Sequence, residues 1–238
     1  MRNRLWFIYL RILKRWSRAG LYDYLQLGLC DLDENSVVLS IGGFGEVDKR
    51  VRALTEEKRS KFFTLDIDAS HTPDILGDIH SLERILRKSQ IQPTHIIALE
   101  VLEHVHSPDK AIKECARSLS THGKLILSVP WIIPIHDRPH DYWRMTPQAI
   151  RLMSQSFMNC EIMARGNEFD SVLCLILRGL FSKNRLSRLL TMVVAPLTLL
   201  IRRPRLIADL ETINSTIGYV ATCTNYQIHS KKPLLVRQ

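Results

Sequence analysis

The chain contains no apolar run long enough to cross a bilayer. Its longest apolar stretch without a charge, residues 189–201, holds 13 residues with Pro196 inside, whereas a spanning helix needs about 17–25. It contains no Cys-x-x-Cys pair. The five cysteines (Cys30, Cys115, Cys160, Cys174 and Cys223) are scattered and odd in number, which argues against a disulfide framework or a zinc site and for a reducing compartment. The apolar run of residues 5–10 is broken at Arg11, short of the about 7–15 residues that a secretory signal wants, so no such signal is expected. No period of about 20–50 residues recurs, which excludes a solenoid or propeller. What remains is the ordinary mix of a soluble globular protein, with 45% hydrophobic and 24% charged residues over 238 positions, enough for one sizeable domain with appendages.

Acidic residues are missing from two segments, and this locates the net charge of +9. Residues 1–20 carry six basic side chains and no acid, residues 171–208 carry seven and no acid, and the rest of the chain is mildly acidic. On a helix, Arg4, Arg11, Lys14, Arg15 and Arg18 fall within an arc of roughly 100°, opposite Leu5, Trp6, Ile8, Tyr9, Leu10, Ile12, Leu13 and Trp16, and only Phe7 breaks the pattern. Such a face suits an anionic membrane surface, and equally suits packing against the chain's own domain with the arginines in water. Residues 171–208 are too apolar for ordinary surface helices, so they pack on each other, on a partner, or against a bilayer interface. A nucleic-acid partner is not expected, because the basic residues alternate with aliphatic side chains rather than stacking aromatics.

Between these appendages, short apolar runs alternate with helix-favouring stretches. Strands are expected at 37–41, 61–65, 94–99 and 124–129, with helices at 46–58, 82–88 and 108–119, the last opened by Pro108 after Ser107 as N-cap. A helix near 146–156, a strand near 160–164, basic helices over 171–213 and a closing strand at 217–224 follow. The pattern is that of βαβ units, hence α/β with a doubly wound, mostly parallel sheet. The domain boundaries read as a basic N-terminal helical segment (1–30), a core (31–170), a helical insertion (171–213), a closing strand (214–230) and a tail (231–238). In such sheets ligands sit beyond the carboxyl ends of the strands.

The residues at those ends are suggestive. Gly42-Gly43-Phe44-Gly45 follows the first strand, where glycine allows a tight turn or close approach to a ligand. Asp66 ends the second strand, 21 positions past Gly45, the spacing at which an acid receives ribose hydroxyls. Asp78 lies in a turn where a carboxylate can accept from an adenine amino group. Taken singly, the glycines also fit a plain strand-to-helix turn, and each acid is more often a solvated loop residue or helix cap. Together with Leu-Glu-His-Val at 102–105, the helix that ends before Gly123, and Ser128-Val129-Pro130, the chain resembles the class I S-adenosylmethionine-dependent methyltransferases. Within them it is most similar to the type 11 branch, over about residues 36–157 and the closing strand.

The resemblance implies a Rossmann-like, seven-stranded sheet and S-adenosyl-L-methionine as cofactor. It implies cofactor contacts from Gly42, Gly43, Gly45, Asp66, Ile67, Asp78, Ile79, Glu100 and Val101, with His104 facing the acceptor. Three positions depart from the family. Ser40 stands where the family carries an acid that orients the methionine amino group. The glycine motif is compressed, and Thr121-His122-Gly123 replaces a Pro-Gly-Gly turn.

Residues 134–147 form the densest polar and aromatic cluster. They look like the Pro-x-His…Asp-Tyr-Trp-Arg-x-Thr-Pro signature of methyltransferases encoded near bacterial surface-glycan genes. His136, His140 and Asp141 are the candidate catalytic bases for a hydroxyl acceptor. Tyr142, Trp143 and Arg144 are the candidate substrate contacts. The bland alternative is a rigid loop whose histidines and Trp143 wall the site. No metal is expected there, because the i, i+4 pairs His136/His140 and Asp137/Asp141 align only on a helix, and Pro139 opposes one. The expected activity is methylation of a hydroxyl on a glycan or lipid-linked saccharide, at the cytoplasmic face of a membrane. The alternatives are a small-molecule or lipid methyltransferase and a non-catalytic, membrane-peripheral binding module on a decayed methyltransferase fold.

Overall fold

A computed structural model describes residues 20–43, 45–178, 184–198 and 215–226, together with 12, 17, 18, 207, 208, 210 and 213. The strands are β1 (Val37–Ile41), β2 (Lys61–Asp66), β3 (Ile75–Leu76), β4 (His95–Leu99), β5 (Lys124–Pro130), β6 (Asn159–Arg165), β7 (Ile207–Ala208) and β8 (Gly218–Thr224). The helices are α1 (Leu21–Gly28), α2 (Glu46–Glu57), α3 (Leu82–Ser89), α4 (Pro108–Ser118), α5 (Pro147–Met153), α6 (Glu168–Arg178) and α7 (Arg185–Leu197). One sheet runs in the order β3-β2-β1-β4-β5-β8-β6-β7. The pairings from β3 through β5 are parallel, and β8 enters antiparallel between β5 and β6. The expected α/β sheet is therefore present, Rossmann-like, with two-residue β7 as an additional edge strand inside a segment expected to be helical throughout.

The central strands read as continuous apolar runs because both sheet faces are covered. Leu39, Ile96 and Leu125 project into one layer with Leu82, Leu86 and Ile112 from α3 and α4. Their neighbours Val38, Ile97 and Ile126 project into the other, with Leu21 and Leu25 from α1 and Val51 from α2. Period-two alternation along each strand thus serves two hydrophobic layers at once. Pro108 opens α4 as expected, but Ser107 makes no side-chain capping bond there. At α5, Thr146 does cap, its Oγ1 accepting from the Ala149 N–H at 3.2 Å.

The cysteine reading needs correction. Cys160 of β6 and Cys223 of β8 lie directly opposite each other in the antiparallel register and are joined as a disulfide. Sixty-three positions separate them in sequence, so only the strand pairing reveals the match. Cys30, Cys115 and Cys174 are free.

Of the basic N-terminal face, only Ile12, Ser17 and Arg18 fall within the described residues. Ile12 is buried, and Arg18 donates to Tyr22 Oη at 2.9 Å and to Glu46 at 3.2 Å. Arg18 thus engages residues of the chain's own α1 and α2. Helices α6 and α7 differ: Phe169, Val172, Leu175, Leu186, Leu189, Met192, Val193 and Leu197 are all exposed. Among the described residues, no helix is long and apolar enough to cross a membrane.

Candidate functional site

The carboxyl ends of β1, β2 and β4 converge, and the turn after β1 requires glycine. Gly42 has φ +63°, and a Cβ there would stand 2.8 Å from Val101 Cγ2. Its N–H donates to Leu65 O of β2 at 2.9 Å, fixing the turn across the sheet. Gly45 has φ +85° with open space where a Cβ would stand, and it leads into α2. A Cβ on Gly43 would meet Asp48 Oδ1 at 2.6 Å and the Ser40 side chain. Asp48 therefore brings a carboxylate, across one turn of α2, to the place where Ser40 supplies none. Its Oδ1 is buried without a hydrogen-bond partner, and burial raises its pKa. Spacing alone does not single out Asp48, because it lies within a charged helix that reads as solvated.

At the end of β2, Asp66 is buried, with Oδ1 accepting from the Asp68 N–H and Oδ2 facing His71 Nδ1, both at 2.9 Å. Each carboxylate oxygen has a second lone pair with which to accept a hydroxyl. Ile67 beside it is 72% exposed, an apolar surface of the sort an aromatic base covers. Asp78 accepts from the His80 N–H at 2.9 Å and faces His80 Nδ1 at 2.7 Å. It thus caps the following turn, as the plainer reading of that acid has it. Ile79 buries its side chain in the core, so that side chain is not available to a ligand. The glycine turn, the buried acid and the exposed isoleucine beside it fit an adenosyl group.

After β4 the backbone turns sharply. Glu100 has φ +57°, a region uncommon for any residue but glycine. Its N–H is held by Ser128 O at 3.0 Å and Ser128 Oγ at 3.1 Å. The Glu100 carboxylate accepts from Ser128 Oγ at 2.8 Å and pairs with Arg165, Nη1 to Oε1 at 3.0 Å and Nη2 to Oε2 at 3.3 Å. Burial would raise this carboxyl, but the fully buried Arg165 guanidinium and Ser128 hold it below its ordinary value. Three residues on, Glu103 has no exposure at all, and neither carboxylate oxygen has a hydrogen-bond partner. Burial, then the charge of Glu100, pushes Glu103 well above the usual carboxylate range.

The 131–144 loop folds over this turn. The Glu103 carbonyl accepts from the N–H groups of Tyr142 at 2.8 Å and Trp143 at 3.3 Å, and Trp143 Nε1 donates to Val105 O at 2.9 Å. Of the three expected bases, His136 and Asp141 meet, and His140 stands apart. Asp141 accepts from the His136 N–H at 2.9 Å and from Arg144 Nη1 and Nη2 at 2.6 and 2.8 Å. Arg144 holds the Asp141 carboxyl far below its ordinary value, so Asp141 clamps the loop and is not a free base. Arg144, expected on the substrate, is itself the clamp's other half. Burial lowers the His136 pKa. The His140 ring faces Tyr142 Oη at 2.6 Å, and its carbonyl accepts from His104 Nδ1 at 2.9 Å. The two i, i+4 pairs do not lie on a helix.

Between the loop and α6 opens a cleft of ≈ 440 Å³, lined by Trp131, Ile133, Tyr142, Trp143, Arg144 and Leu175 among others. That volume lies within the range of small-ligand sites, about 300–1,000 Å³.

Three comparisons bear on this site. The methyltransferase domain family matches residues 67–127. No curated protein matches the chain in sequence. Solved structures similar to it include a SAM-dependent methyltransferase from Archaeoglobus fulgidus, at 12% identity over 86% of this chain and 92% of that one, with TM-score 0.54. Another is a SAM-dependent methyltransferase from Thermotoga maritima, at 13% identity over 94% and 95%, with TM-score 0.52. A third is a Haemonchus contortus phosphoethanolamine N-methyltransferase in complex with S-adenosylhomocysteine, at 12% identity over 90% of this chain and 57% of that one, with TM-score 0.53. The chain therefore has the fold of the class I S-adenosylmethionine-dependent methyltransferases, and its residues 67–127 match the methyltransferase domain family.

Proposed function

We propose that the chain uses S-adenosyl-L-methionine to methylate a hydroxyl of a glycan or lipid-linked saccharide, working at the cytoplasmic face of a membrane. S-adenosylmethionine supplies a methyl group already activated on a sulfonium. Gly42, Gly43 and Gly45 provide the close backbone approach, Asp66 receives the ribose hydroxyls, and Ile67 covers the adenine. Asp48 supplies the negative charge for the methionine amino group, which answers the absence of an acid at residue 40. In-line transfer needs the acceptor held still more than it needs strong acid–base chemistry. The loop is built for holding, since Asp141–Arg144 and the bonds to the Glu103 carbonyl fix its shape.

The observation that carries the acceptor class is the cleft at the carboxyl end of β5. Trp131, Tyr142 and Trp143 offer the flat apolar surfaces on which sugar rings stack, and the Tyr142 hydroxyl can bond one of theirs. The lipid-linked form is supported by Leu175, which lines the cleft and belongs to the exposed apolar face of α6. A saccharide in the cleft would trail its lipid along α6 and α7.

The test is transfer of labelled methyl from S-adenosylmethionine to fractionated host material. Label should appear in the glycan or lipid-linked saccharide fraction and disappear with Asp66→Ala. Label confined to small molecules or simple lipids would favour those acceptors instead. No label in any fraction, from protein that binds cofactor, would point to the non-catalytic module.

A further inference from the structure

Three acceptor atoms converge beside the cleft. Glu103 Oε1 lies 3.7 Å from His104 Nε2 and 3.9 Å from His136 Nε2, and the three ligand-capable atoms all fall within 4.8 Å of one another. These separations are too long for hydrogen bonds, so the imidazoles do not satisfy the carboxylate. Glu103 is completely buried with both oxygens unpartnered, and a carboxylate so placed stays charged only where something positive shares the space.

The outer faces of the two histidines define which atoms point inward. His104 Nδ1 meets the His140 carbonyl at 2.9 Å, and a carbonyl can only accept, so Nδ1 carries the proton and Nε2 offers a lone pair. His136 Nδ1 lies 3.3 Å from Asp141 Oδ2, and Asp141 is fixed by Arg144. The Asp141 carboxylate favours the proton on Nδ1, leaving the His136 Nε2 lone pair aimed at Glu103 as well. The carbonyl bonded behind His104 is the outer support that metal-ligating histidines use, while His136 Nδ1 makes no hydrogen bond and has the Asp141 carboxylate nearby. For a tetrahedral ion with bonds of about 2.1 Å, ligand atoms sit about 3.4 Å apart. The two carboxylate–imidazole spacings, 3.7 and 3.9 Å, are within about 0.5 Å of that value, and the two imidazole nitrogens lie within 4.8 Å of each other.

We propose that Glu103, His104 and His136 bind a divalent transition-metal ion. Two imidazoles and one carboxylate that leave a coordination position open are a donor set suited to zinc or a related first-row ion. Magnesium, which prefers oxygen ligands, should bind more weakly. The helix spacing of His136/His140 and Asp137/Asp141 plays no part. The site is assembled from the turn after β4 and the loop after β5, 32 positions apart. Resting on the function proposed above, the open position takes the acceptor oxygen, and the bound ion lowers the pH at which that hydroxyl releases its proton to water.

The experiment uses tag-free, full-length protein stripped with chelator. Zn²⁺ is titrated calorimetrically, Co²⁺ is followed by its visible absorption, and Mg²⁺ is the comparison. One equivalent of Zn²⁺ or Co²⁺ should bind. Glu103→Gln and His136→Ala should each weaken binding by at least about 100-fold, beyond the 10–100-fold typical of outer-shell partners such as Asp141→Asn. His122→Ala, an exposed histidine outside the cluster, should leave it unchanged. Each variant is checked for native melting, and Glu103→Gln keeps shape where His136→Ala removes a ring. Absence of a stoichiometric site, or binding undiminished in both ligand variants, would overturn the proposal. S-adenosylhomocysteine binding on the same samples separates the two readings: metal bound without it defeats the function proposed above, and it bound without metal defeats this site.

Discussion

Replacing Arg165 with methionine removes the only cation paired with Glu100 among the described residues, and the size of the effect follows from burial. Arg165 is completely buried and makes two contacts, 3.0 and 3.3 Å, to the two oxygens of Glu100. Breaking a buried ion pair from one side typically costs about 3–5 kcal/mol, because the surviving charge is left uncompensated. Glu100 retains Ser128 Oγ at 2.8 Å and its side chain is 28% exposed, so the lower end applies, about 3 kcal/mol. For a domain of this size that is a fall in melting temperature of about 6–12 °C. Urea denaturation of the wild type, Arg165→Met, Glu100→Gln and the double variant forms a cycle. The double variant should be less damaged than the two single losses added together, by about 1–3 kcal/mol. A loss below about 1 kcal/mol in Arg165→Met, or strictly additive losses, would refute the view that this pair holds the turn after β4.

Other consequences are as direct. Gly42→Ala combines φ +63° with a Cβ 2.8 Å from Val101; it should cost about 1–3 kcal/mol and weaken S-adenosylhomocysteine binding at least about tenfold, as calorimetry would show. Asp31 meets Lys124 Nζ at 2.6 Å and His95 at 3.3 Å. Against the opposing effect of burial, these contacts depress its carboxyl. That stability is present above the unfolded value near pH 4 and is lost as pH falls toward the lower folded value. With Asp31 half exposed, the contribution is no more than about 1 kcal/mol, and Asp31→Asn should flatten the acid limb of melting temperature against pH without altering its alkaline limb. Burial pushes the Cys115 thiol up to about 12, and Cys174 is buried as well, while Cys30 is exposed. A thiol reagent at pH 8 should find one fast group, Cys30, and the other two only on unfolding; several fast thiols in folded protein would contradict the burial described.

The sheet was legible because its strands are buried on both faces, so Val37–Ile41, His95–Leu99 and Lys124–Pro130 read as predominantly apolar runs. The glycine turn and Asp66 were legible because both lie a residue or so from a strand end. What the sequence hid depends on distance along the chain. Cys160 and Cys223 meet only through the β6–β8 register. Glu103 appears in its motif beside His104 without a sign that it is fully buried, and only the folded loop brings His136 opposite it. Asp141 looked like a base, since nothing in sequence shows Arg144 occupying both its oxygens. Asp48 is one charge among many on α2 until the turn at Gly43 places it beside Ser40.

The central claim is that the glycine turn and Asp66 hold S-adenosylmethionine. Titration calorimetry of the purified chain with S-adenosylmethionine and S-adenosylhomocysteine tests it most directly. Binding on the order of micromolar, lost in Asp66→Ala while that variant melts as the wild type does, is the result expected. Failure of the folded wild type to bind either compound, or binding unchanged by Asp66→Ala, would contradict the account.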